Sequence, residues 1–287
     1  MSAVTTGVST FKIWGPHKQL WPHLSYTHVD KTASISRTEE HHQEVMNDET
    51  GVCVGIDFDS DLGKLSRLMA ESIAGTTRRN EILNEMQIKA GDVIIDIGCG
   101  AGYLLPHLAK AVGSSGTIYG LDPSKAQLEQ ASQRCSEIAI IKLIERSADD
   151  SELQSDCCNS ATSTQALEYI PDVGPALDEI TRVLKPGGAF VNVSILWDHF
   201  KFYGADEKLN EKVHDAFKAH CSHQMLPMEL PGKLERRGFR NIKDKSLAFV
   251  ITRRDENSPA RYTEAIMANF ALTQGMSEEE VSDWKSQ

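Results

Sequence analysis

Between residues 93 and 195 the chain alternates short apolar runs with amphipathic segments. The runs at 93–97, 117–121, 139–144, 159–164 and 188–195 have the length of buried strands. The segments at 102–112, 124–136 and 173–184 carry apolar residues at helical spacing. In the last of these Leu177, Ile180, Val183 and Leu184 share a face, and Pro186 with Gly187-Gly188 ends it. Strand–helix alternation predicts an α/β fold with a parallel sheet covered on both faces. Ahead of it, Asp59 to Ala74 reads as a helix with Leu62, Leu65, Leu68, Met69 and Ile73 on one face. Thr77 to Met86 reads as a second helix, and Lys89-Ala-Gly-Asp92 as the turn before the first strand. Residues 1–60 are irregular in pattern, with Trp14, Trp21 and Tyr26 scattered through polar sequence.

After the fifth run the pattern changes. Leu196 to Met228 holds aromatic residues, His199, His214, His220 and His223, and a helix from about Asp206 to Cys221. Its apolar stripe is Leu209, Val213, Ala216, Phe217 and His220. This reads as an insertion over the carboxyl edge of the sheet, where open α/β folds bind ligands. Leu230 to Arg237 is a short helix closed by Gly238-Phe239, and two further strands are expected at 240–245 and 247–253. Residues 258–287 read as helices, the last opening with Glu278-Glu279-Glu280, which suits a helix dipole.

Composition narrows the function classes. The 287 residues are 40% apolar, enough for a sizeable core. A formal charge of −11 argues against nucleic acid as a main partner, because phosphate binding wants a basic surface. No run has the length of a membrane span, and Met1 to Trp14 holds no signal-peptide stretch. The six cysteines show no C-x-x-C pairing, which predicts reduced thiols in a cytoplasmic protein.

The chemistry concentrates at the end of the first run. Val93-Ile-Ile-Asp96-Ile97 leads into Gly98, Gly100 and Gly102, and the second run ends in Asp122. Such a turn lets a nucleoside approach the main chain, and an acid at the second strand's end can read a ribose. A dinucleotide site usually reads G-x-G-x-x-G/A and holds a pyrophosphate. Here the third glycine comes one residue early, the loop from Asp96 to Gly102 has no Lys or Arg, and Asp96 would repel phosphate. The arrangement favours a phosphate-free nucleoside with an ammonium and a sulfonium, which describes S-adenosylmethionine.

Asp96-Ile-Gly-Cys-Gly-Ala-Gly102 resembles motif I of the class I S-adenosylmethionine-dependent methyltransferases. Gly120-Leu-Asp122 is similar to the acidic end of that family's second strand, and Leu184-Lys-Pro-Gly-Gly188 to its turn into strand five. Within the family the chain is most similar to the small-molecule branch with the ubiquinone and menaquinone biosynthesis C-methyltransferases, over residues 78–254. The resemblance implies a Rossmann-like, seven-stranded, mostly parallel sheet, closed by an antiparallel pair. The organisation expected is an N-terminal extension with cap helices (1–76), a cofactor-binding domain (77–254) with a lid insertion (196–228), and a C-terminal helical tail (255–287).

The resemblance also implies roles. Asp96 would hold the methionine amino group, Gly98, Cys99, Gly100 and Gly102 the turn, and Asp122 with Pro123 the ribose end. Ser147-Ala148 would meet the adenine, with Ser147 standing where the family commonly has an acid and Asp149 following as an alternative. Asn159 stands where the family often has Asp. Gln165 would lie against the methionine part, or simply pack at a strand end. Glu168 could serve as a general base or as a residue that starts a helix, and His199 could take a proton beside the pocket.

No metal site is expected, since His41-His42 with Glu44 has no second ligand cluster. Cys157-Cys158 reads as a pair of buried thiols. The expected activity is methyl transfer to a small, mostly apolar acceptor held by the N-terminal 75 residues and the 196–228 insertion. Alternatives in view are a cofactor-binding cyclase-like enzyme or scaffold and a nicotinamide oxidoreductase. No membrane or nucleic-acid partner is expected, and a homodimer stays open.

Overall fold

A computed structural model of the chain describes residues 2–9, 67–200, 202, 206–248 and 259–287. All of them belong to one compact unit. Trp14, Trp21, Tyr26, the His41-His42-Glu44 group and residues 59–66 of the first expected helix lie outside the described residues.

The strands are β1 (Ser2–Ser9), β2 (Val93–Ile97), β3 (Thr117–Asp122), β4 (Ile141–Glu145), β5 (Cys158–Thr164), β6 (Leu184–Ile195) and β7 (Arg240–Ala248). They lie in one sheet in the order β4-β3-β2-β5-β6-β1-β7, and every pairing is parallel. The helices are α1 (Ile73–Met86), α2 (Leu105–Val112), α3 (Lys125–Cys135), α4 (Val173–Val183), α5 (Glu207–Phe217), α6 (Leu226–Glu235), α7 (Pro259–Thr273) and α8 (Glu278–Ser286).

The pleat explains how the sheet is held. Ile95 and Ile97 point to one face, where they pack with Phe190, Leu177, Ile180 and Leu230. Ile94 and Ile118 point to the other, packed with Leu105, Leu108, Ile82 and Met267. Both faces are therefore apolar, as a parallel sheet requires. The order in which strands are added to the sheet reverses between β2 and β5, and at that switch the carboxyl ends of two neighbouring parallel strands open a crevice.

Four features depart from the sequence-based expectations. The helix expected to run through Ala74 breaks at Ser72. Its hydroxyl donates to the Met69 carbonyl (2.7 Å) and accepts from the Gly75 N–H, which caps α1. Leu184-Lys-Pro-Gly-Gly188 does not stand apart as a turn. It is a bulge inside β6, whose pairing with β5 jumps from Leu184 to Ala189. The expected antiparallel pair is replaced, as far as residue 248, by the single strand β7, which runs through the expected break at 246; residues 249–253 lie outside the described residues. The place between β6 and β7 is taken by β1 from the N-terminus, parallel to both. The irregular reading of residues 1–60 missed this strand, although Val4, Thr5, Thr6 and Val8 are β-branched.

Among the described residues no helix is long and apolar enough to cross a membrane, and no group of three or more His, Cys, Asp or Glu is placed to hold a metal. Cys157 and Cys158 are free thiols with sulfurs 3.6 Å apart; Cys158 is buried and Cys157 half-buried.

Candidate active site

The glycine turn is built by the strands that flank it. The N–H groups of Gly98 and Cys99 both donate to the Leu121 carbonyl at the end of β3 (2.8 and 2.9 Å), and Gly102 N–H closes the turn on the Cys99 carbonyl. A Cβ at Gly98 would stand 2.2 Å from the Ala166 Cβ, on a backbone with φ +69°, so no other residue fits between β2 and the loop after β5. Gly100 has φ +52°, and its N–H donates to Asp122 Oδ2 at 2.8 Å. Asp122 Oδ1 accepts from Ser124 N–H at 2.9 Å, and the Ser124 hydroxyl then caps α3.

A cavity of about 450 Å³ lies over this turn. Of the residues expected to bind cofactor, Asp96, Gly98, Cys99, Gly100, Asp122, Pro123, Ser147, Ala148 and Gln165 line it. Gly102 does not; it backs against Ala131 of α3. Asp149 is exposed and outside the lining, so the adenine role considered for it has no support from its position. Gln165 holds φ +50°, rare for a side chain with a Cβ, and its N–H donates to the Val193 carbonyl at 2.7 Å. A strained position of this kind at a strand end fits a functional edge.

The electrostatics of the cavity are unusual. Asp96, one residue before the end of β2, is buried, and its Oδ1 has no hydrogen-bond partner among the described residues. Burial, with Asp122 nearby, pushes its carboxyl up to about 8. Burial also raises Asp122, opposed by its two backbone hydrogen bonds. Arg78 of α1 lines the same cavity only 6% exposed; no hydrogen bond or salt bridge is found for its guanidinium among the described residues, and the buried Glu168 carboxyl lies near enough to act on it electrostatically. Burial, with Arg79 adjacent, lowers it to about 10. Arg79 is occupied by the Ala70 carbonyl and the Thr76 hydroxyl. The cavity thus presents two carboxylates, Asp96 and Asp122, and the buried Arg78 guanidinium alongside Arg67, Arg79 and Arg146; a ligand of opposite charge would offset the cost of burying Asp96 and Arg78.

The expected catalytic residues fall elsewhere. His199 is exposed on the 3₁₀ turn Trp197–His199 and does not line the cavity; that turn directs Trp197 inward instead. Glu168 is fully buried and not among the lining residues. Its Oε2 accepts from the Ser194 hydroxyl at 2.8 Å, and its carbonyl accepts from Ser222 and His223 N–H, so it ties the insertion to the sheet. Burial raises its carboxyl to about 7.

Other lining residues come from the substrate side, where Tyr169 and the 196–228 insertion were expected, and from the C-terminal segment, which was not expected there. Tyr169 follows β5, Trp197, Phe217 and His220 come from the insertion, and Thr263 and Ile266 from α7. The segment read as a C-terminal tail therefore supplies part of the cavity wall. Trp197 meets Phe217 edge-on with centroids 5.4 Å apart. Tyr103, at the opposite side of the turn, donates to Glu71 at 2.8 Å and carries Arg134 over its ring at 3.7 Å.

Comparison with known proteins gives the family. Residues 88–250 match the family described as "Methyltransferase domain", and the chain belongs to that family. S-adenosylmethionine is the cofactor of the class that the sequence resemblance implied. Among similar curated proteins, the demethylmenaquinone methyltransferase of Staphylococcus carnosus is 35% identical over 113 residues, which cover 39% of this chain and 47% of that one. An uncharacterised 37.1 kDa protein in transposon TN4556 of Streptomyces fradiae is 31% identical over 130 residues, covering 45% of this chain and 38% of that one. The chain thus spans less than half the length of these relatives. Among solved structures, the YcgJ protein of Bacillus subtilis is similar over 71% of this chain and 86% of its own, with 22% identity and a TM-score of 0.47.

Proposed function

We propose that this protein transfers a methyl group from S-adenosylmethionine to a small, largely apolar acceptor. The observation that carries the reading is the cavity itself: a buried Asp96, Asp122 across a turn without cations, and a buried Arg78 line one space. S-adenosylmethionine has an ammonium, a carboxylate and a ribose diol, and no phosphate, so its charges match that set. When bound it supplies an electrophilic methyl group on a sulfonium.

The chain's residues then divide the work. Asp96 holds the ammonium and Arg78 the carboxylate, each relieving a buried charge. Asp122 accepts from the ribose hydroxyls while Gly100 and Ser124 N–H fix its orientation. Ser147 and Ala148 border the adenine end, and Gln165 the methionine part. Trp197, Phe217, Tyr169 and Ile266 form an apolar and aromatic wall on the acceptor side, which holds a second ligand and keeps water from the reacting atoms. Such a wall, with the likeness to proteins named demethylmenaquinone methyltransferase, supports a ring-bearing acceptor. We assign Glu168 to structure, because the Ser194 hydroxyl and two backbone N–H groups bind it away from the lining.

The test is incubation of the purified chain with methyl-tritiated S-adenosylmethionine and a panel of quinols, phenols and terpenoids. Transfer of label into an organic-extractable product supports the reading. Tight binding of S-adenosylhomocysteine with no label transferred to any member contradicts it.

A further inference from the structure

His220 sits in the wall of the same cavity, 1% exposed. Its Nδ1 lies 2.6 Å from the Phe217 carbonyl. A carbonyl only accepts, so Nδ1 carries the proton and Nε2 keeps its lone pair. That Nε2 is buried and has no hydrogen-bond partner among the described residues. The ring is fixed around it: it stacks on Phe217 at 3.8 Å with planes 2° apart, and meets Trp197 edge-on at 4.5 Å. A buried acceptor locked in one tautomer, unsatisfied and set among aromatic rings, lacks only a donor.

We infer that His220 Nε2 accepts the hydroxyl hydrogen of the methyl acceptor, and that the acceptor is a planar, phenolic or enolic compound. The inference rests on the methyl-transfer reading and deepens it. As the acceptor reacts, the O–H proton passes to Nε2 and the imidazole becomes imidazolium. The O–H electron pair stays on the acceptor, where oxygen or the conjugated carbon uses it to form the new bond to the methyl group. The proton later leaves to solvent. An ammonium-bearing acceptor does not suit the place, because no carboxylate among the described residues is paired with His220 and the groups stacked around it are aromatic rings.

The ring's surroundings keep the base available. Burial holds His220 down to about 4, so it is neutral at physiological pH. The rings facing it come from Tyr169, Trp197, Phe217 and Phe270, and of these only Tyr169 titrates, its phenol held well above the ordinary range by burial. Cys221, next in the chain, is pushed up to about 12 by burial and by Glu168. Neither changes charge between pH 6 and 9. Glu168, raised to about 7, titrates inside that range, and E168Q removes its contribution.

The experiment is ¹⁵N NMR of the histidine-labelled chain with S-adenosylhomocysteine bound. The His220 Nε2 resonance is assigned by its loss in H220F, or in H220N if H220F does not fold. The probes are 2-naphthol, 2-methoxynaphthalene and naphthalene. The resonance should sit at the unprotonated position from pH 6 to 9 in both wild type and E168Q. It should move toward the protonated position with 2-naphthol, and stay in place with the other two. H220F should lose at least about tenfold in 2-naphthol affinity with S-adenosylhomocysteine affinity unchanged. A protonated Nε2 before any probe is added, equal shifts with all three probes, or no binding of millimolar 2-naphthol overturns the inference alone. Failure of S-adenosylhomocysteine to bind overturns the methyl-transfer reading as well.

Discussion

Asp122 and Gly100 are joined across two strands: the Gly100 N–H donates to Asp122 Oδ2 at 2.8 Å, so the acid at the end of β3 is tied to the turn that ends β2. The bond fixes the carboxylate before a ligand arrives, and each oxygen keeps a lone pair for a hydroxyl. Asp122→Ala removes both the ribose acceptors and the tie. Affinity for S-adenosylhomocysteine should fall about a hundredfold, as expected for losing charge-assisted hydrogen bonds. Asp122→Asn, which keeps one acceptor oxygen, should lie between. Calorimetry on the three proteins checks the order.

Asp96 makes binding depend on pH. Burial and Asp122 place its carboxyl at about 8 in the ligand-free protein. An ammonium favours the ionised form, so the bound state has the lower pKa. Between the two values binding releases a proton, and affinity rises with pH by up to about tenfold per unit until it levels near 8. Calorimetry in buffers of different ionisation enthalpy should detect the released proton at pH 7. Asp96→Asn should bind weakly at all pH values and release none from this site.

Arg78 separates the two ends of the cofactor. Arg78→Met should weaken S-adenosylhomocysteine at least about tenfold, the worth of one charged hydrogen-bonded pair. Binding of 5′-methylthioadenosine, which has no amino-acid carboxylate, should be unaffected. Equal losses for both compounds would show that Arg78 acts only through the fold.

Glu168 should behave as a buried structural acid. Its folded pKa of about 7 exceeds the ordinary 4.5. Across that window the native state binds more protons than the unfolded chain, so this group's contribution to stability is full below 4.5 and is lost as pH rises to 7. Glu168→Gln cannot ionise. It should be the more stable protein above pH 7, by at most about 3 kcal/mol, and match wild type near pH 4. Denaturant titrations at the two pH values test this. Retained methyl transfer in the variant would separate structure from catalysis.

The cofactor half of the site was legible because backbone geometry dictates its residues. A turn that passes a Cβ-free position beside Ala166 must write glycine at 98, and the acid at 122 ends the strand paired with β2, where its carboxylate accepts from the turn. The acceptor half was not, because long-range packing makes it. On the cofactor side Arg78 was not legible either: it carries no motif, and it is buried on α1 near Glu168 and Tyr169. His220 reads as one more apolar-stripe position, and it is both buried and part of the cavity wall. His199 does not line the cavity, because a 3₁₀ turn rotates each residue by about 120°, which brings Trp197 inward and leaves His199 exposed. The strand Ser2–Ser9 is short and polar, and its place between β6 and β7 depends on partners more than 170 residues away.

The most direct test of the whole account compares two nucleosides on the purified protein by titration calorimetry. The account predicts that S-adenosylhomocysteine binds one per chain, with affinity lost in Asp96→Asn and Asp122→Ala, and that NAD gives no heat above dilution. Tight association of NAD with no response to S-adenosylhomocysteine would contradict it.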